Sequence, residues 1–451
     1  MHFANPYDNK LIFRMIRFRV LALMAVVACF CGKAADFTGE WSGNLSVGAV
    51  SLKVVFHIDR QGEALTCTMD SPMQKTFGIA CTPSVHGDSL LVDIPAVGGA
   101  YKGVMNTDGT IAGEFSQMGQ SFPLALKRVV KEVEAPKPYH EKEVTVDAGG
   151  GITLAGTFSI PKGAGPYPAV VLLTGSGAQD RNETIGDHRP FAVIADSLTR
   201  HGIAVLRCDD RGVGGSSIAS GYETTEHFAA DALAMLNAVK HYEGVDSTKV
   251  GFIGHSEGGL IAIINATKGP RFIVTLAAPA VKGKQVMIRQ NELVAKVHGF
   301  DMPAETRTTM EAVFAAIDTI PQVNALRDRL KMLLADLPAH VRDAEIPVFT
   351  SPWYRHFIQF DPSDALKALG RNKKVAMLAL NGEMDAQVDA DQNLSVIQTY
   401  VPHARIRRMP GLNHMFQPVD SWAKSLDIVA NPHSFSPKAI AEIITFIQTL
   451  K

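Results

Sequence analysis

Beyond about residue 143, short apolar runs alternate with longer stretches of helical periodicity, and this alternation constrains the fold more than any other feature. The apolar runs occupy residues 169–173, 204–207, 250–253, 272–276, 375–380 and 404–409. Helical patterns lie between or after most of them, at residues 190–201, 226–242, 257–267, 390–400 and 437–450. Strands that are apolar on both faces are typical of a parallel sheet covered by helices. The sequence therefore predicts an α/β fold with a doubly wound, mostly parallel sheet over residues 143–451.

The stretch from about residue 281 to residue 361 interrupts the alternation. It is long and mostly helical, with periodic segments at 306–318 and 322–335, and it follows the strand at 272–276. We therefore expect a helical cap inserted into the α/β domain. Its aromatic residues either line an acyl or aromatic pocket or form the core of the cap, and both interpretations stay open for Trp353, Tyr354, Phe357 and Phe360.

Residues 36–128 follow a different pattern, in which short alternating or apolar runs are separated by turn sequences such as Asp59-Arg60-Gln61-Gly62. Strands spaced by roughly 8–12 residues without a helical stretch are typical of a small antiparallel barrel or sandwich. Residues 129–142 are charged and include two prolines, which favours an interdomain linker. The sequence thus predicts a small all-β domain, either a barrel or a sandwich, ahead of the α/β domain.

The first 35 residues have the pattern of a secretory signal peptide. Three arginines between residues 14 and 19 precede the apolar run at 20–30, and a small-x-small triplet at 32–34 follows it. The run is shorter than the roughly 20 apolar residues that span a bilayer, so we expect no transmembrane span. The protein is therefore expected to be exported, to the periplasm or the medium. Because Val26-Val27-Ala28-Cys29 resembles a bacterial lipobox, a lipid anchor through Cys29 stays open.

The five cysteines divide along the same boundaries. Cys29 and Cys31 lie in the predicted signal region, and Cys208 lies beside an apolar run of the α/β domain, where we expect it to pack in the core. Cys67 and Cys81 lie in the β-domain. They either pair in an oxidising compartment or stay as two buried thiols.

Charge and motif content exclude several classes of protein. The chain has 44 Lys+Arg against 45 Asp+Glu, so it lacks the basic field that favours nucleic-acid binding. No H-E-x-x-H zinc motif occurs, and no P-loop or dinucleotide fingerprint follows a strand, so no metal or other cofactor is implied. The expected partner is a small-molecule substrate, and the sequence does not indicate an oligomeric state.

The motif Gly254-His255-Ser256-Glu257-Gly258 fits G-x-S-x-G and lies between the strand at 250–253 and the helical stretch at 257–267. A serine in a tight strand-to-helix turn is exposed at the end of the sheet, and its small neighbours let the backbone fold sharply. A serine hydroxyl is a weak nucleophile until a base accepts its proton, and the base needs a carboxylate to orient it. Ser256 is therefore the predicted nucleophile, and a carboxylate and a histidine must meet it in the fold.

Asp385 and His414 have the positions that such a site requires. The nucleophile elbow is followed along the chain first by the acid and then by the histidine. Asp385 follows the strand at 375–380, and His414 follows the strand at 404–409. Both residues thus lie on loops at the carboxyl ends of strands, the edge of a parallel sheet where ligands bind.

Other residues compete for both roles. Asp389 immediately precedes the helix at 390–400 and is typical of a helix N-cap, while Glu383 is a second nearby carboxylate. His403 precedes its strand and so lies at the wrong end of the sheet. His255 neighbours the serine, but we expect its side chain to diverge from it. The loop positions therefore favour the acid and the base named above.

The tetrahedral intermediate of acyl transfer needs two backbone N–H donors at its oxyanion. One is expected from Glu257, the residue after the serine. The other is expected from Ser176, in the loop Thr174-Gly175-Ser176-Gly177 that follows the strand at 169–173, although a plain glycine turn is the alternative for this loop. Arg211, in a loop after the strand at 204–207, is interpreted as scaffolding that pairs with nearby carboxylates.

Several ordered motifs together resemble the α/β-hydrolase superfamily, and more narrowly the bacterial carboxylesterases of the dienelactone-hydrolase and serine-aminopeptidase-like group. The resemblance covers about residues 142–451 and leaves the β-domain unassigned. Thr174 departs from the pattern, because many relatives have histidine there, but the donor in question is a backbone N–H. The motifs that carry the resemblance are Thr174-Gly175-Ser176-Gly177-Ala178-Gln179-Asp180-Arg181, Asp209-Asp210-Arg211-Gly212, Gly254-His255-Ser256-Glu257-Gly258-Gly259, Asn381-Gly382-Glu383-Met384-Asp385 and Gly411-Leu412-Asn413-His414.

The resemblance implies a serine hydrolase that cleaves carboxylic esters through an acyl-enzyme, with Ser256, Asp385 and His414 in the catalytic roles. Two other functions stay open. A peptidase of the serine-aminopeptidase type would share the triad and hold the substrate's amino terminus with an acidic pair, which spacing does not reveal. A catalytically inert binding protein of the cell envelope would instead use the β-domain to hold its ligand.

Overall fold

The computed structural model describes residues 35–47, 50–62, 64–74, 76–129 and 136–450. The chain forms two compact units, residues 1–132 and residues 133–451. Except for its last residue, the predicted signal peptide, with the lipobox at Cys29, lies outside the described residues. Within the described ranges, no helix has both the length and the apolar character needed to cross a membrane.

The first unit is an antiparallel sheet in which each strand from β1 to β8 pairs with the next. The final strand, β9, pairs back with β1, and Leu126 just before it bridges Ile111 in β7. The segment from β8 to β9 therefore joins the two ends of the sheet, which curls into a barrel. The strands of the described part are β1 Gly39–Val47, β2 Val50–Gln61, β3 Ala64–Ser71, β4 Thr76–His86, β5 Ser89–Ile94, β6 Gly99–Met105, β7 Ile111–Gln117, β8 Gln120–Pro123 and β9 Lys127–Arg128.

Alternation along these strands directs large apolar side chains into the interior of the curled sheet. Trp41, Phe56 and Tyr101 are all at most 1% exposed, and the rings of Phe56 and Tyr101 lie 5.5 Å apart. The indole N–H of Trp41 donates to the carbonyl of Phe37 at 2.7 Å, so its one polar group is satisfied. The prediction of a small all-β domain is confirmed, and of the two predicted architectures the curled sheet matches the barrel.

Cys67 and Cys81 lie directly opposite each other on β3 and β4, and both are free thiols. A hydrogen bond between the two sulfurs raises the pKa of Cys67 and lowers that of Cys81. The two thiols are therefore neighbours, rather than separately buried groups. Cys208, in contrast, packs in the core of the second unit, as predicted.

The second unit contains an eight-stranded sheet in the order β10-β11-β13-β12-β14-β15-β16-β17. The first two strands form an antiparallel hairpin that pairs antiparallel with β13, and the others are parallel. His255 pairs with Leu276, which pairs with Leu380, so β14, β15 and β16 end at the same edge. The described strands are β10 Tyr139–Gly149, β11 Ile152–Pro161, β12 Tyr167–Leu173, β13 Ala204–Cys208, β14 Val245–His255, β15 Phe272–Leu276, β16 Ala376–Gly382 and β17 Arg405–Met409.

Helices cover both faces of this sheet. One face packs against α2, α3, α9 and α10, and the opposite face packs against α1 and α11. The predicted doubly wound α/β sheet is thus confirmed. The helices of the described part are α1 Pro190–Arg200, α2 Thr225–Val239, α3 Glu257–Asn265, α4 Gly283–Val297, α5 Ala304–Thr319, α6 Val323–Leu333, α7 Ala339–Phe349, α8 Pro352–Gln359, α9 Ser363–Arg371, α10 Ala390–Tyr400 and α11 Pro437–Gln448.

Helices α4 to α8 form a cap with a hydrophobic core of its own. That core includes Tyr354 and Phe357 from α8 and reaches Leu260 at the start of α3. The contact places the cap over the helix that follows Ser256. The predicted helical cap is confirmed, and two of its four aromatic residues belong to the cap core.

Strand β10 begins at Tyr139, inside the predicted linker of residues 129–142. Tyr139 is buried, pairs with Pro161 and donates its hydroxyl hydrogen bond to Asp196 at 2.8 Å. The three residues that follow it are exposed and polar, which is why the segment has the composition of a linker. The folded domain therefore starts a few residues earlier than composition indicates.

Oxidation should join the two neighbouring thiols of the β-domain. Treatment with oxidised glutathione is expected to convert the Cys67 and Cys81 thiols to a disulfide, with glutathione taking up the two electrons and two protons. Closing a loop of roughly 15 residues raises the free energy of unfolding by about 3 kcal/mol. Non-reducing peptide mapping and thermal unfolding with and without reductant measure both effects, with Cys67→Ser as the control. Two thiols that both stay reactive to alkylation after oxidation would contradict this prediction.

Candidate active site

Ser256 occupies the turn between β14 and α3, at the edge of the sheet where the parallel strands end. Its backbone has φ 52° and ψ −118°, a region that residues other than glycine adopt at a cost of roughly 1–3 kcal/mol. The Ser256 N–H donates to the carbonyl of Leu276 at 2.8 Å, which ties the turn to the neighbouring strand. A Cβ atom on Gly258 would lie 2.1 Å from the Leu173 carbonyl oxygen, so only glycine permits this packing.

His414 and Asp385 meet on the loops that follow β17 and β16. Nδ1 of His414 lies 2.8 Å from Oδ2 of Asp385, and both side chains are at most 6% exposed. Oδ1 of Asp385 accepts the N–H groups of Gln387 and Val388, each at 2.8 Å. Asn381 also donates to Oδ2, at 3.1 Å. The carboxylate is thus held by four donors, and one of them is the imidazole.

The competing residues lie elsewhere. Asp389 caps α10 by accepting from the Gln392 N–H at 2.7 Å, as predicted, and forms an ion pair with Arg289 of the cap. Glu383 is 40% exposed and faces Arg408. His403 contacts the Val375 carbonyl just before β16, at the opposite end of the strand from Asp385.

The loop after β12 and the start of α3 place two backbone N–H groups near Ser256. Gly175 uses its N–H in a 2.7 Å hydrogen bond to Glu183, whereas the N–H groups of Ser176 and Glu257 donate to no other group of the described residues. Glu257 is the first residue of α3, where the helix leaves its N–H groups unpaired and its dipole favours negative charge. These are the two amides that the sequence predicts for an oxyanion.

The Glu257 side chain is buried and links the turn at Ser256 to the cap. Its carboxyl accepts from the Thr225 hydroxyl at 2.6 Å, from the Trp353 indole N–H at 2.8 Å and 3.0 Å, and from the Ser176 hydroxyl. Burial raises the pKa of Glu257, and these three hydrogen bonds oppose the increase. Trp353 therefore contacts the site, and it also packs against the cap core, where it stacks on Phe357 with ring centroids 5.6 Å apart. The sequence gives no sign of these partners, because they come from three distant segments.

Two further charged residues contact the site. Nδ1 of His255 lies 2.8 Å from Oε1 of Glu183, and its Nε2 lies 3.0 Å from the carbonyl oxygen of His414. His255 diverges from Ser256, as expected. No motif indicates Glu183, which lies in the long loop between β12 and α1.

The Asp209-Asp210-Arg211 segment supports the loop after β12. Asp209 accepts two hydrogen bonds from the Arg181 guanidinium, at 2.8 Å and 3.0 Å, while Arg211 binds Asp231 through two contacts of 2.6 Å, consistent with its predicted scaffolding role. Asp210 accepts from the Thr174 hydroxyl at 3.0 Å and from the Gln179 N–H at 3.0 Å.

The two neighbouring aspartates have opposite pKa shifts. Burial raises the pKa of Asp210 to about 7, and the charges of Glu183 and Glu257 add to the increase. Burial also acts upward on the pKa of Asp209, but the hydrogen bonds and charge of Arg181 outweigh it and hold that pKa below its usual range. A cavity of about 30 Å³ adjoins Asp210, Glu257 and the glycine loop.

Asp210 should make the folded state less stable as the pH rises. Because the folded state binds the Asp210 proton more tightly than the unfolded state, the free energy of unfolding falls between pH 3.8 and about 7, by up to roughly 4 kcal/mol. Thermal unfolding of Asp210→Asn across this range is expected to show a smaller decrease than the native protein. Asp209→Asn is the matched control and should lose stability relative to the native protein as the pH rises. An Asp210→Asn variant with the native pH dependence would contradict the prediction.

Comparisons with known proteins give a family and one named relative. Residues 185–417 match the family model described as serine aminopeptidase, S33. Esterase EstD of Thermotoga maritima is 34% identical over 185 residues, which is 41% of this chain and 42% of that protein. An uncharacterized protein of Mycobacterium tuberculosis is 28% identical over 138 residues, or 31% of this chain and 45% of that protein. The matched regions thus span less than half the length of these curated relatives.

Solved structures with similar coordinates include a Pyrococcus furiosus esterase, which is 16% identical with a TM-score of 0.43, over 71% of this chain and 96% of that one. Est1E of Butyrivibrio proteoclasticus, solved with ferulic acid, is 18% identical with a TM-score of 0.41, over 68% of this chain and all of that one.

The family match carries the assignment. It covers more than half of the chain and includes the turn at Ser256 and the loops that bear Asp385 and His414. The chain therefore belongs to the serine aminopeptidase S33 family of α/β hydrolases.

Proposed function

We propose that this protein is a serine hydrolase of the carboxylesterase type and that Ser256, His414 and Asp385 are its catalytic triad. The observation that carries the proposal is the 2.8 Å hydrogen bond between His414 and Asp385, at the sheet edge where Ser256 occupies a strained strand-to-helix turn. A serine, a histidine and a carboxylate in this chain order are the arrangement that activates a serine nucleophile in α/β hydrolases.

Acylation begins when the Ser256 oxygen attacks the ester carbonyl while Nε2 of His414 accepts the serine proton. Asp385 holds the proton on Nδ1 of His414 and stabilises the imidazolium that forms. The N–H groups of Ser176 and Glu257 bind the oxyanion of the tetrahedral intermediate. The intermediate then collapses, the carbon–oxygen bond to the alcohol breaks, and His414 gives its proton to the departing alcohol.

Deacylation repeats these steps with water in place of serine. His414 removes a proton from the water as its oxygen attacks the acyl carbonyl, and the same two N–H groups bind the second oxyanion. The bond to the Ser256 oxygen then breaks, and His414 returns the proton to the serine. The carboxylic acid leaves, and the site is restored without any other reactant.

The Glu257 carboxyl, beside the proposed nucleophile, favours esters over peptides because its hydrogen-bonding capacity is already used. Glu257 is 2% exposed, and its oxygens already accept hydrogen bonds from Thr225, Trp353 and Ser176. An ammonium group of a peptide would have to displace these donors. The esterase from Thermotoga maritima supports the same class of substrate. The near-zero net charge of the chain is compatible with neutral or weakly charged esters.

The family description favours a second candidate, a serine aminopeptidase. The two activities separate when p-nitrophenyl acetate and butyrate are assayed beside aminoacyl-p-nitroanilides. We expect turnover of the p-nitrophenyl esters. Turnover of the anilides alone would reject the esterase and establish the peptidase.

A fluorophosphonate probe should label the native protein at Ser256. Ser256→Ala is expected to abolish labelling and to lower ester turnover by at least about 10⁴-fold, because no other oxygen can form the acyl-enzyme. Ser395→Ala, an exposed serine on α10, is the control and should label like the native protein. An unlabelled native protein would support the inert binding protein instead.

The acid of the triad should be Asp385 and not its neighbour. Asp385→Asn is expected to lower kcat by about 10³–10⁴-fold, because the amide no longer holds the required tautomer of His414. Asp389→Asn keeps a side-chain oxygen that caps α10, loses only the charge that pairs with Arg289, and is expected to keep native kcat. Steady-state kinetics on both variants measure the difference, and a greater loss of kcat in Asp389→Asn would refute the assignment.

A further inference from the structure

Two buried side chains beside the proposed triad take no part in these proton transfers. Glu183 is 2% exposed and His255 is 4% exposed. Nε2 of His255 faces the carbonyl oxygen of His414, which can only accept a hydrogen bond, so this nitrogen carries a proton. Nδ1 faces Oε1 of Glu183, which already accepts the Gly175 N–H at 2.7 Å. Because the pKa of His255 is raised above its ordinary value, we assign a proton to Nδ1 as well, which makes His255 an imidazolium paired with Glu183.

The pair connects three segments of the site. Glu183 belongs to the loop after β12 and binds Gly175, the residue before the proposed oxyanion donor Ser176. His255 is the last residue of β14, directly before the nucleophile. Its contact with the His414 carbonyl reaches the loop after β17. One ion pair thus contacts the backbone on either side of the reacting atoms.

The surrounding structure fixes this arrangement. Glu183 has φ 53°, a left-handed conformation that is rare for glutamate, and its N–H donates to the Asp180 carbonyl at 2.9 Å. A Cβ atom on Gly175 would lie 3.1 Å from Oε1 of Glu183 and 3.4 Å from Nδ1 of His255. The glycine therefore lets the loop backbone approach the ion pair closely. A non-glycine residue persists in a strained conformation only where its surroundings require it.

We propose that Glu183 and His255 are positioning residues. Their ion pair holds the Gly175 amide and the His414 carbonyl at fixed positions relative to each other. The loop of Ser176 and the imidazole of His414 are thereby aligned with Ser256. This inference rests on the proposed function, since it assigns the pair a role in that reaction.

The negative charge of Glu183 also neutralises the positive charge of His255 beside His414. The His255 and His414 rings lie 4.7 Å apart, so an unpaired imidazolium at His255 would oppose the positive charge that His414 gains during catalysis. Burial lowers the pKa of His255, but the charge and hydrogen bond of Glu183, the His414 carbonyl and the charge of Asp385 together raise it above its ordinary value. The ion pair therefore keeps His255 protonated without leaving a net charge beside the base.

The protonation state can be measured in the native protein. Labelling histidines with ¹⁵N and assigning His255 by comparison with His255→Gln should reveal two protonated ring nitrogens at neutral pH. A neutral His255 ring would overturn the proposal. This measurement does not depend on whether any variant of Glu183 folds.

Kinetics test the positioning role. Glu183→Gln is expected to lower kcat for p-nitrophenyl butyrate by about 10–100-fold with little change in KM, as for a small misplacement of reacting groups. The shape of its kcat profile should also change, with kcat rising as His255 loses its unpaired proton, and this loss should occur at lower pH than in the native protein because the Glu183 charge no longer raises the pKa of His255. A loss caused only by a smaller folded fraction would leave the pH profile in place.

Glu143→Gln is the matched control. It makes the same chemical change at a 74% exposed carboxylate that binds Arg181 of the same loop at 2.5 Å, away from Gly175 and His255. Native kcat and pH profile are expected. A folded Glu183→Gln variant that behaves like this control would overturn the proposal. If Glu183→Gln does not fold, His255→Gln is measured in its place. A loss of kcat by about 10–100-fold is again expected, and a folded variant with the kinetics of Glu143→Gln would overturn the proposal.

Failure of the proposed function gives a different result. A native protein that neither reacts with the fluorophosphonate probe nor hydrolyses esters would reject the serine hydrolase, and the positioning role would be rejected with it. Native labelling at Ser256 together with unchanged kinetics in Glu183→Gln would reject the positioning role alone.

Discussion

The backbone of Ser256 is the constraint on which the rest of the site depends. A serine at φ 52° between the last residue of β14 and the first residue of α3 reverses the chain within one residue. The reversal requires glycine at 254 and 258, because a Cβ atom at either position would lie about 2 Å from a backbone oxygen. The same turn leaves the serine partly exposed and brings the N–H of Glu257, which has no partner among the described residues, next to it. The parallel register from β14 to β17 then places the loops of Asp385 and His414 at that edge.

Buried carboxyl groups surround the loop after β12, and each is stabilised in a different way. Glu183 pairs with His255, Glu257 accepts from three neutral donors, and Asp210 has a pKa raised to about 7 by burial. Negative charge near an oxyanion would raise the energy of the transition state. The ion pair of Glu183, the hydrogen bonds to Glu257 and the proton on Asp210 reduce the negative charge near the loop. The same carboxyl groups keep the hydrogen bonds that hold the loop in place.

The sequence predicts the sheet, the elbow and the loops of the acid and base, because each depends on local patterns. An apolar strand, a G-x-S-x-G turn and a helix leave few geometries for Ser256, and loops at strand ends must meet at one edge. The meeting of His414 with Asp385 follows from this order, while their catalytic roles stay predictions. The start of β10 at Tyr139 could not be predicted, because the exposed charged residues that follow it give this part of the strand the composition of a linker.

Partners from distant segments could not be predicted in the same way. Glu183 reaches His255 from a long loop, and Trp353 reaches Glu257 from the cap, with no fixed spacing in either case. Side-chain packing, rather than periodicity, decides such contacts. For the same reason, the sequence does not distinguish Trp353, which contacts Glu257, from Tyr354 and Phe357, which are buried in the cap core.

The hydrogen bond between Trp353 and Glu257 ties the ionisation of a carboxyl group to the position of the cap. While the indole covers it, Glu257 is shielded from water, and burial raises its pKa. Displacing α8 would hydrate the carboxyl, which favours its ionised form, and would also remove the indole hydrogen bond, which favours that form while α8 is in place. The position of α8 and the ionisation of Glu257 are therefore thermodynamically linked, with two contributions of opposite sign.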